Sequence, residues 1–146
     1  MSRKLYESKQ DLKKESELAK QISHRWACSL RKLPIHYHLD FAAEREGKIV
    51  AFMEFKCRTS EMNKYPTYMI SMSKIMAARS MYGVSGKESY LIVQWKDKIA
   101  KCEMLWCKHE VGMGGRTDRG DWQDVDPCCY IPLSEFTVIA ETGSSV

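Results

Sequence analysis

The first pattern along the chain is an apolar stripe with helical spacing. Apolar residues recur at steps of three, four and seven between positions 12 and 30, which is typical of an amphipathic helix packed on a core. Pro34 is predicted to end this helix, because a proline cannot donate the next backbone hydrogen bond. With Ile22 at the centre of the stripe, Glu15 lies about 20° away and Glu17 about 140° away. We therefore expect Glu15 to face the core and Glu17 to face solvent.

A hairpin is predicted next. Apolar and polar residues alternate over positions 35–41, as in a half-buried strand, and Glu46-Gly47 is typical of a tight turn. The following strand, over 48–58, is apolar on both faces between Ile49 and Met53 and then becomes polar on one face. A strand that begins in this way is expected in the interior of a sheet.

The rest of the chain predicts one more helix and a few strands. We expect a helix over 67–82 capped by Gly83, a central strand over 90–95 and a strand over 99–108 that pairs with it. A glycine-rich loop over 112–127 and a closing element over 130–136 follow, and 142–146 is expected to be a frayed tail. This order predicts one domain over 1–146, with its core at about 12–136 and an α/β sandwich around a mixed sheet.

Composition places the chain among ordinary globular proteins. It has 146 residues, a hydrophobic fraction of 44% and a formal charge of +4. Residues 1–33 hold nine Lys or Arg against four Asp or Glu, so the whole excess lies there; it permits nucleic acid as a partner but is equally typical of a solvated helix face. No apolar run reaches the length of a membrane span and no secretory signal is evident, so a cytoplasmic protein with no membrane partner is expected.

Cysteine and histidine residues offer two weaker candidates. The six cysteines lack any standard zinc spacing and are expected to be free thiols in the core. His36 and His38 share the predicted face of Asp40, which could form a zinc or manganese site or contact phosphate. Partly exposed neighbours are the simpler interpretation of both histidines.

The strongest chemical signal is a group of carboxylates and a lysine on the hairpin. Glu54 and Lys56 lie two residues apart and so point to one face, and the hairpin brings Asp40 close to them. Two converging carboxylates repel each other unless a cation lies between them, and Mg²⁺ prefers such oxygen ligands. Glu15, on the core side of the first helix, is a natural third acid. An exposed Glu–Lys pair facing solvent is the alternative.

Asp40 followed by Glu54-Phe55-Lys56, with an acidic residue on the preceding helix, resembles the PD-(D/E)XK nuclease superfamily. The resemblance covers about residues 12–110, with Leu39 in place of the family's loosely kept proline. Within that superfamily, the chain is most similar to small virus-type replication-repair nucleases and to Holliday-junction resolvases of phage and archaea. The resemblance implies a restriction-endonuclease-like α/β/α sandwich with a central mixed sheet.

The resemblance also implies roles for these residues. Asp40, Glu54 and the Phe55 backbone carbonyl would bind Mg²⁺ or Mn²⁺. Lys56 would position the attacking water and Glu15 would assist. The implied activity is hydrolysis of DNA phosphodiester bonds, possibly at branched or single-stranded structures and, for a phage protein, in the host cytoplasm. A nucleic-acid-binding or assembly protein without turnover on the same fold is the alternative.

Candidate DNA contacts lie outside this group. Arg58 and Lys74 are predicted to contact nucleic acid, as are Arg116 and Arg119 in the glycine-rich loop. Pairing of the two loop arginines with neighbouring aspartates is the alternative for that loop.

The second helix also predicts an interface. It carries more apolar residues than one core-facing stripe can hide, and these are Met69, Ile70, Met72, Ile75, Met76 and Met81. A twofold homodimer would cover the surplus and would give two sites for cutting two strands.

Overall fold

The computed structural model describes residues 9–34, 39–115 and 125–141. Two helices and nine strands lie in these ranges. In chain order they are α1 Lys9–Trp26, β1 Ser29–Lys32, β2 Phe41–Arg45, β3 Lys48–Cys57, β4 Thr67–Ser71, α2 Met72–Ser85, β5 Ser89–Gln94, β6 Lys98–Glu103, β7 Glu110–Gly115, β8 Val125–Pro132 and β9 Thr137–Glu141.

The strands form two sheets. The larger sheet has the order β1-β2-β3-β5-β6-β9, in which β3 and β5 are parallel and the other neighbours are antiparallel. The smaller sheet has the order β4-β8-β7 and is antiparallel throughout. The segment β4–α2 is the crossover between the two parallel strands, as parallel neighbours require.

Each face of the larger sheet covers its own apolar core. On one face, Leu18 and Ile22 of α1 pack against Phe41, Met53 and Phe55. On the other face, the side chains come from α2 and the smaller sheet as well as from the larger sheet; they include Phe52, Tyr68, Ile75, Leu91, Val93 and Ile131. The predicted α/β/α sandwich with a central mixed sheet is confirmed, with the smaller sheet as an additional part of one outer layer.

The first helix is shorter than predicted. It ends at Trp26, where Ala27 takes a positive φ of 48° and the Cys28 N–H donates to the Ser23 carbonyl at 3.1 Å. This left-handed turn closes the helix and directs the chain into β1. Leu30 belongs to β1 but still packs on the α1 core, which is why its spacing continues the helical stripe.

The first hairpin begins later than predicted. The described strand starts at Phe41, whereas positions 35–38, with His36 and His38, lie outside the described residues. Phe41, Ala42 and Ala43 are all buried because both faces of β2 are covered, with Phe41 and Ala43 in the α1 core and Ala42 in the core on the other face. The Glu46-Gly47 turn is confirmed, with φ of 51° and 75° at its two residues.

The second helix begins five residues later than predicted. Positions 67–71 form β4, in which Tyr68 and Ile70 are buried and Met69 is exposed. Pairing with β8 keeps these residues extended, and the Ser71 side chain then caps α2 by accepting from the Ser73 N–H.

The predicted interface on this helix is mostly covered within the chain. Ile70 and Ile75 are buried, and Met72 and Met81 pack against the same core. Met76 is 51% exposed and Met69 is 41% exposed. The smaller sheet therefore hides much of the surplus that predicted the dimer, and the dimer stays a prediction.

The C-terminal part contains more strand than predicted. β6 ends at Glu103, five residues before the predicted end, because its carboxylate accepts from the Leu105 and Trp106 N–H groups and turns the chain. The predicted loop over 112–127 contains parts of β7 and β8, and β9 was not predicted at all. The predicted tail over 142–146 lies outside the described residues. Within the part of the chain that is described, no helix is both long and apolar enough to cross a membrane.

The helix cap gives a test of these bounds. Gly86, not Gly83, closes α2, with a φ of 70° and its N–H donating to the Tyr82 carbonyl. Gly83→Ala should stabilise the protein by up to about 1 kcal/mol, because alanine favours a helix interior and nothing lies within 4 Å of its added methyl group. Gly86→Ala should destabilise it by about 1 kcal/mol, because a methyl group disfavours the left-handed conformation. Urea unfolding of the two variants measures both changes, and equal signs would place the helix end elsewhere.

Candidate active site

The site is built around a carboxylate with no exposed surface. Glu54 lies in β3 between β2 and β5, and its side chain is 0% exposed. Strand alternation directs it, with Phe52 and Lys56, to the face that α2 covers. Lys56 Nζ lies 3.4 Å and Lys74 Nζ 3.1 Å from Glu54 Oε2. Among the described residues, Glu54 Oε1 has no hydrogen-bond partner.

Asp40 is fixed beside Glu54 by the end of the hairpin. Its N–H donates to the Met53 carbonyl at 3.0 Å, and its Oδ2 accepts from the Phe55 N–H at 2.7 Å. The N–H and C=O of one strand residue point to the same edge, so the Phe55 carbonyl is also directed to the Asp40 side of β3. The sequence prediction grouped Asp40, Glu54 and the Phe55 carbonyl, and the structure brings them to one place.

Burial and the neighbouring Asp40 both act on the ionisation of Glu54. Burial, and then the charge of Asp40, raise the pKa of Glu54 to about 7, while Lys56 and Lys74 act in the opposite direction. A carboxylate in this position resists ionisation unless more positive charge is supplied. The group is therefore poised to gain from a cation.

Glu15 approaches the site through a lysine that sequence reasoning missed. Its side chain is 14% exposed, and Oε1 lies 2.6 Å from Lys32 Nζ, which is also 3.6 Å from Asp40 Oδ1. Glu17 is exposed, as the helix phase predicts. The helix predicted to end at Pro34 would include Lys32, whereas the structure has Lys32 in β1, which brings it to Asp40. Within the described ranges, no three His, Cys, Asp or Glu side chains are grouped closely enough to hold a metal by themselves.

The predicted DNA-contacting residues fall into three positions. Lys74 lies against Glu54 at the start of α2, with 21% of its side chain exposed. Arg58 is exposed beyond β3, and its guanidinium carbon lies 4.8 Å from the centre of the Tyr68 ring. Arg116 and Arg119 lie outside the described residues.

Tyr68 is a second neighbour that sequence reasoning did not place at the site. Burial and the charge of Glu54 raise the pKa of its phenol, against the effect of Arg58. Its hydroxyl is buried and, among the residues described, accepts and donates no hydrogen bond. The predicted helix over 67–82 includes Tyr68, and only the pairing of β4 with β8 shows the direction of its side chain.

Comparisons with known proteins identify a family and a similar fold. Residues 1–139 match the model of a family described as "Phage putative PDDEXK endonuclease". The structure is similar to that of Hjc of Archaeoglobus fulgidus, a Holliday junction resolvase from an archaeal hyperthermophile. That match has a TM-score of 0.55 at 13% sequence identity and covers 87% of this chain and 93% of the resolvase. No curated protein sequence matches the chain.

The raised pKa of Glu54 predicts a dependence of stability on pH in metal-free buffer. A group that binds its proton more tightly in the folded state contributes its full stabilisation of that state below its ordinary pKa of 4.5. That stabilisation is lost as the pH rises to about 7. Glu54→Gln removes this loss. At about pH 8 the variant should exceed the wild type in free energy of unfolding by up to about 3 kcal/mol, and the difference should vanish near pH 4.

Urea unfolding in EDTA across this pH range measures the difference. Glu17→Gln, on the exposed side of α1, is the control and should leave the pH dependence as in the wild type. A Glu54→Gln curve parallel to that of the wild type would show that folding does not raise the pKa of Glu54.

Proposed function

The chain belongs to the phage family of PD-(D/E)XK endonucleases, and on that basis we propose that it is a divalent-metal-dependent nuclease that hydrolyses phosphodiester bonds in DNA. The observation that carries the proposal is the buried Glu54 carboxylate, which faces Asp40 and has one oxygen without a partner among the described residues. Its proposed place of action is the cytoplasm of the infected host.

The residues present fit a hard divalent cation. Oxygen atoms are the ligands that Mg²⁺ and Mn²⁺ prefer, and Mg²⁺ is commonly held by one or two carboxylates and completed by water and substrate phosphate. Asp40, Glu54 and the Phe55 carbonyl would hold the cation. Once bound, the cation would supply Lewis acidity toward a phosphate oxygen.

Lys74 and Lys56 have different proposed roles: Lys74 supports Glu54, and Lys56 acts on the attacking water and the phosphate. Both ammonium groups contact Glu54 Oε2, and both favour its ionised form. Lys74 is the more enclosed and holds the carboxylate against α2, with 21% of its side chain exposed against 37% for Lys56. The more open Lys56 can donate a hydrogen bond to an attacking water and stabilise negative charge that develops on the phosphate. Glu15 acts indirectly: its carboxylate forms an ion pair with Lys32, and Lys32 also pairs with Asp40.

The proposal extends to the structure of the DNA substrate and to the assembly of the protein. The similarity in fold to a Holliday junction resolvase supports branched DNA as a substrate to test beside duplex and single strands. A twofold homodimer would place two sites on such a substrate, and Met76, which is 51% exposed on α2, offers apolar surface for it. Light scattering of the full chain measures this assembly, and a monomer at micromolar concentration would oppose it.

Cleavage assays test the function directly. Asp40→Asn and Glu54→Gln should each reduce Mg²⁺-dependent cleavage by at least about 100-fold, because each removes a charged oxygen ligand. Plasmid, single-stranded and four-way-junction DNA should be incubated in Mg²⁺, Mn²⁺ and EDTA. Folded variants as active as the wild type would remove the metal from these residues. DNA binding without cleavage by the wild type in either metal would favour the non-catalytic alternative.

The helix phase gives a matched pair of variants for the role of Glu15. Glu15→Ala should reduce the cleavage rate roughly 10-fold, as expected for a residue that orients the site without binding the metal. Glu17→Ala, two positions away on the exposed side, should match the wild type. The rate constant at saturating Mg²⁺ separates this effect from metal affinity, and the reverse order of the two variants would assign the role to Glu17.

A further inference from the structure

An open cavity of about 390 Å³ adjoins the site beyond the end of β3. Four of its eleven lining residues are aromatic, namely Tyr65, Tyr68, Trp95 and Tyr130, and Arg58 lies at the side nearest β3. Its volume lies within the roughly 300–1,000 Å³ of small-molecule sites. No acidic side chain lines it among the described residues.

The cavity is a direct extension of the catalytic strand. The Arg58 N–H donates to the Gln94 carbonyl at 2.8 Å, so strand geometry continues one residue past Cys57. Strand alternation then places Glu54, Lys56 and Arg58 on one face, at steps of roughly 7 Å for each two residues. Arg58 and the cavity are therefore within reach of a nucleotide next to the one whose phosphate meets Lys56.

The accessible walls have the chemistry that single-stranded nucleic acid prefers. Tyr65 is 59% exposed, and Lys64 Nζ lies 5.5 Å from the centre of its ring. Tyr68 and Trp95 form the buried floor of the cavity, where their rings pack edge to face with centres 5.9 Å apart. This floor is therefore formed before any ligand binds. Aromatic faces stack on any base, and an Arg or Lys beside them pairs with the phosphate.

We propose that this cavity receives an unpaired nucleobase of the substrate, which stacks on Tyr65 while Arg58 pairs with the adjoining phosphate. This inference rests on the proposed nuclease function and narrows its substrate class. A base inside a continuous duplex is stacked and paired, so it must be extruded to enter. The preferred substrates are therefore flaps, single-stranded ends and opened junctions, with the unpaired nucleotide beside the bond that is cut.

Binding measured in EDTA tests the cavity separately from cleavage. The probes are a fluorescein-labelled DNA with a single-stranded flap and a fully paired duplex of the same length, titrated with the full chain and followed by anisotropy. Tyr65→Ala should lower the flap-to-duplex affinity ratio roughly 5- to 100-fold, which corresponds to the loss of one stacked base. Tyr65→Phe should restore the ratio, because the stacking face is kept. Tyr82→Ala, which removes another exposed tyrosine outside the cavity, should leave it as in the wild type.

A fluorescent base locates the contact. The analogue 2-aminopurine at the unpaired nucleotide next to the branch should be quenched by the wild type and by Tyr65→Phe, and not by Tyr65→Ala. An unchanged affinity ratio in Tyr65→Ala, equal losses on flap and duplex, or a changed oligomeric state in that variant would each overturn the proposal. If the wild type cleaves DNA but fails these tests, the cavity proposal is rejected and the nuclease function stands. If 2-aminopurine is quenched but no DNA is cleaved, the nuclease function is rejected and the cavity proposal stands.

Discussion

The burial of one carboxylate is the constraint on which the rest of the site depends. Removal of a charged Glu54 from water is strongly unfavourable unless opposite charge and polar groups surround it. The strand order places β3 between β2 and β5, and the crossover brings the Lys74 ammonium to the same oxygen as Lys56. The two lysines offset only part of this cost, because the pKa of Glu54 is still raised to about 7. In the proposed function, a cation between Glu54 and Asp40 would supply the remaining positive charge.

The parts predictable from sequence are those set by short-range pattern. The turn at Glu46-Gly47, the strand β3 and the central strand β5 follow from local residue types, and each is confirmed. Burial in β3 begins only at Ala51, since Ile49 and Val50 are exposed. The separation of Glu15 from Glu17 follows from helical phase alone, and burial agrees with it. The carboxylate–lysine group could be found because a strand period of two fixes the common face of Glu54 and Lys56, and the hairpin brings Asp40 to them.

The parts that were missed depend on contacts between distant segments. Positions 67–71 carry a pattern compatible with a helix, but pairing with β8, sixty residues later, holds them extended. The same pairing turns Tyr68 toward Glu54 and builds the aromatic cavity. Lys32 could not be placed, because its direction follows from the pairing of β1 with β2 rather than from any helical period. Local propensity is a weak guide wherever such long-range pairing decides the conformation.

The parallel pairing of β3 with β5 also has a consequence for the order of events during synthesis. Glu54 lies opposite Leu91 in that pair, and the lysine that accompanies it from α2 arrives in the same crossover. A hairpin of β2 and β3 can form as soon as it leaves the ribosome, but it has no partner on its second edge until the chain has been made as far as Gln94. Non-local pairing of this kind forms slowly and late. The acidic residues of the hairpin are present from the start, yet the enclosed environment of Glu54 is completed only by later sequence. We therefore expect the candidate site to be incomplete, and the nascent chain to be inactive, until most of the chain has emerged.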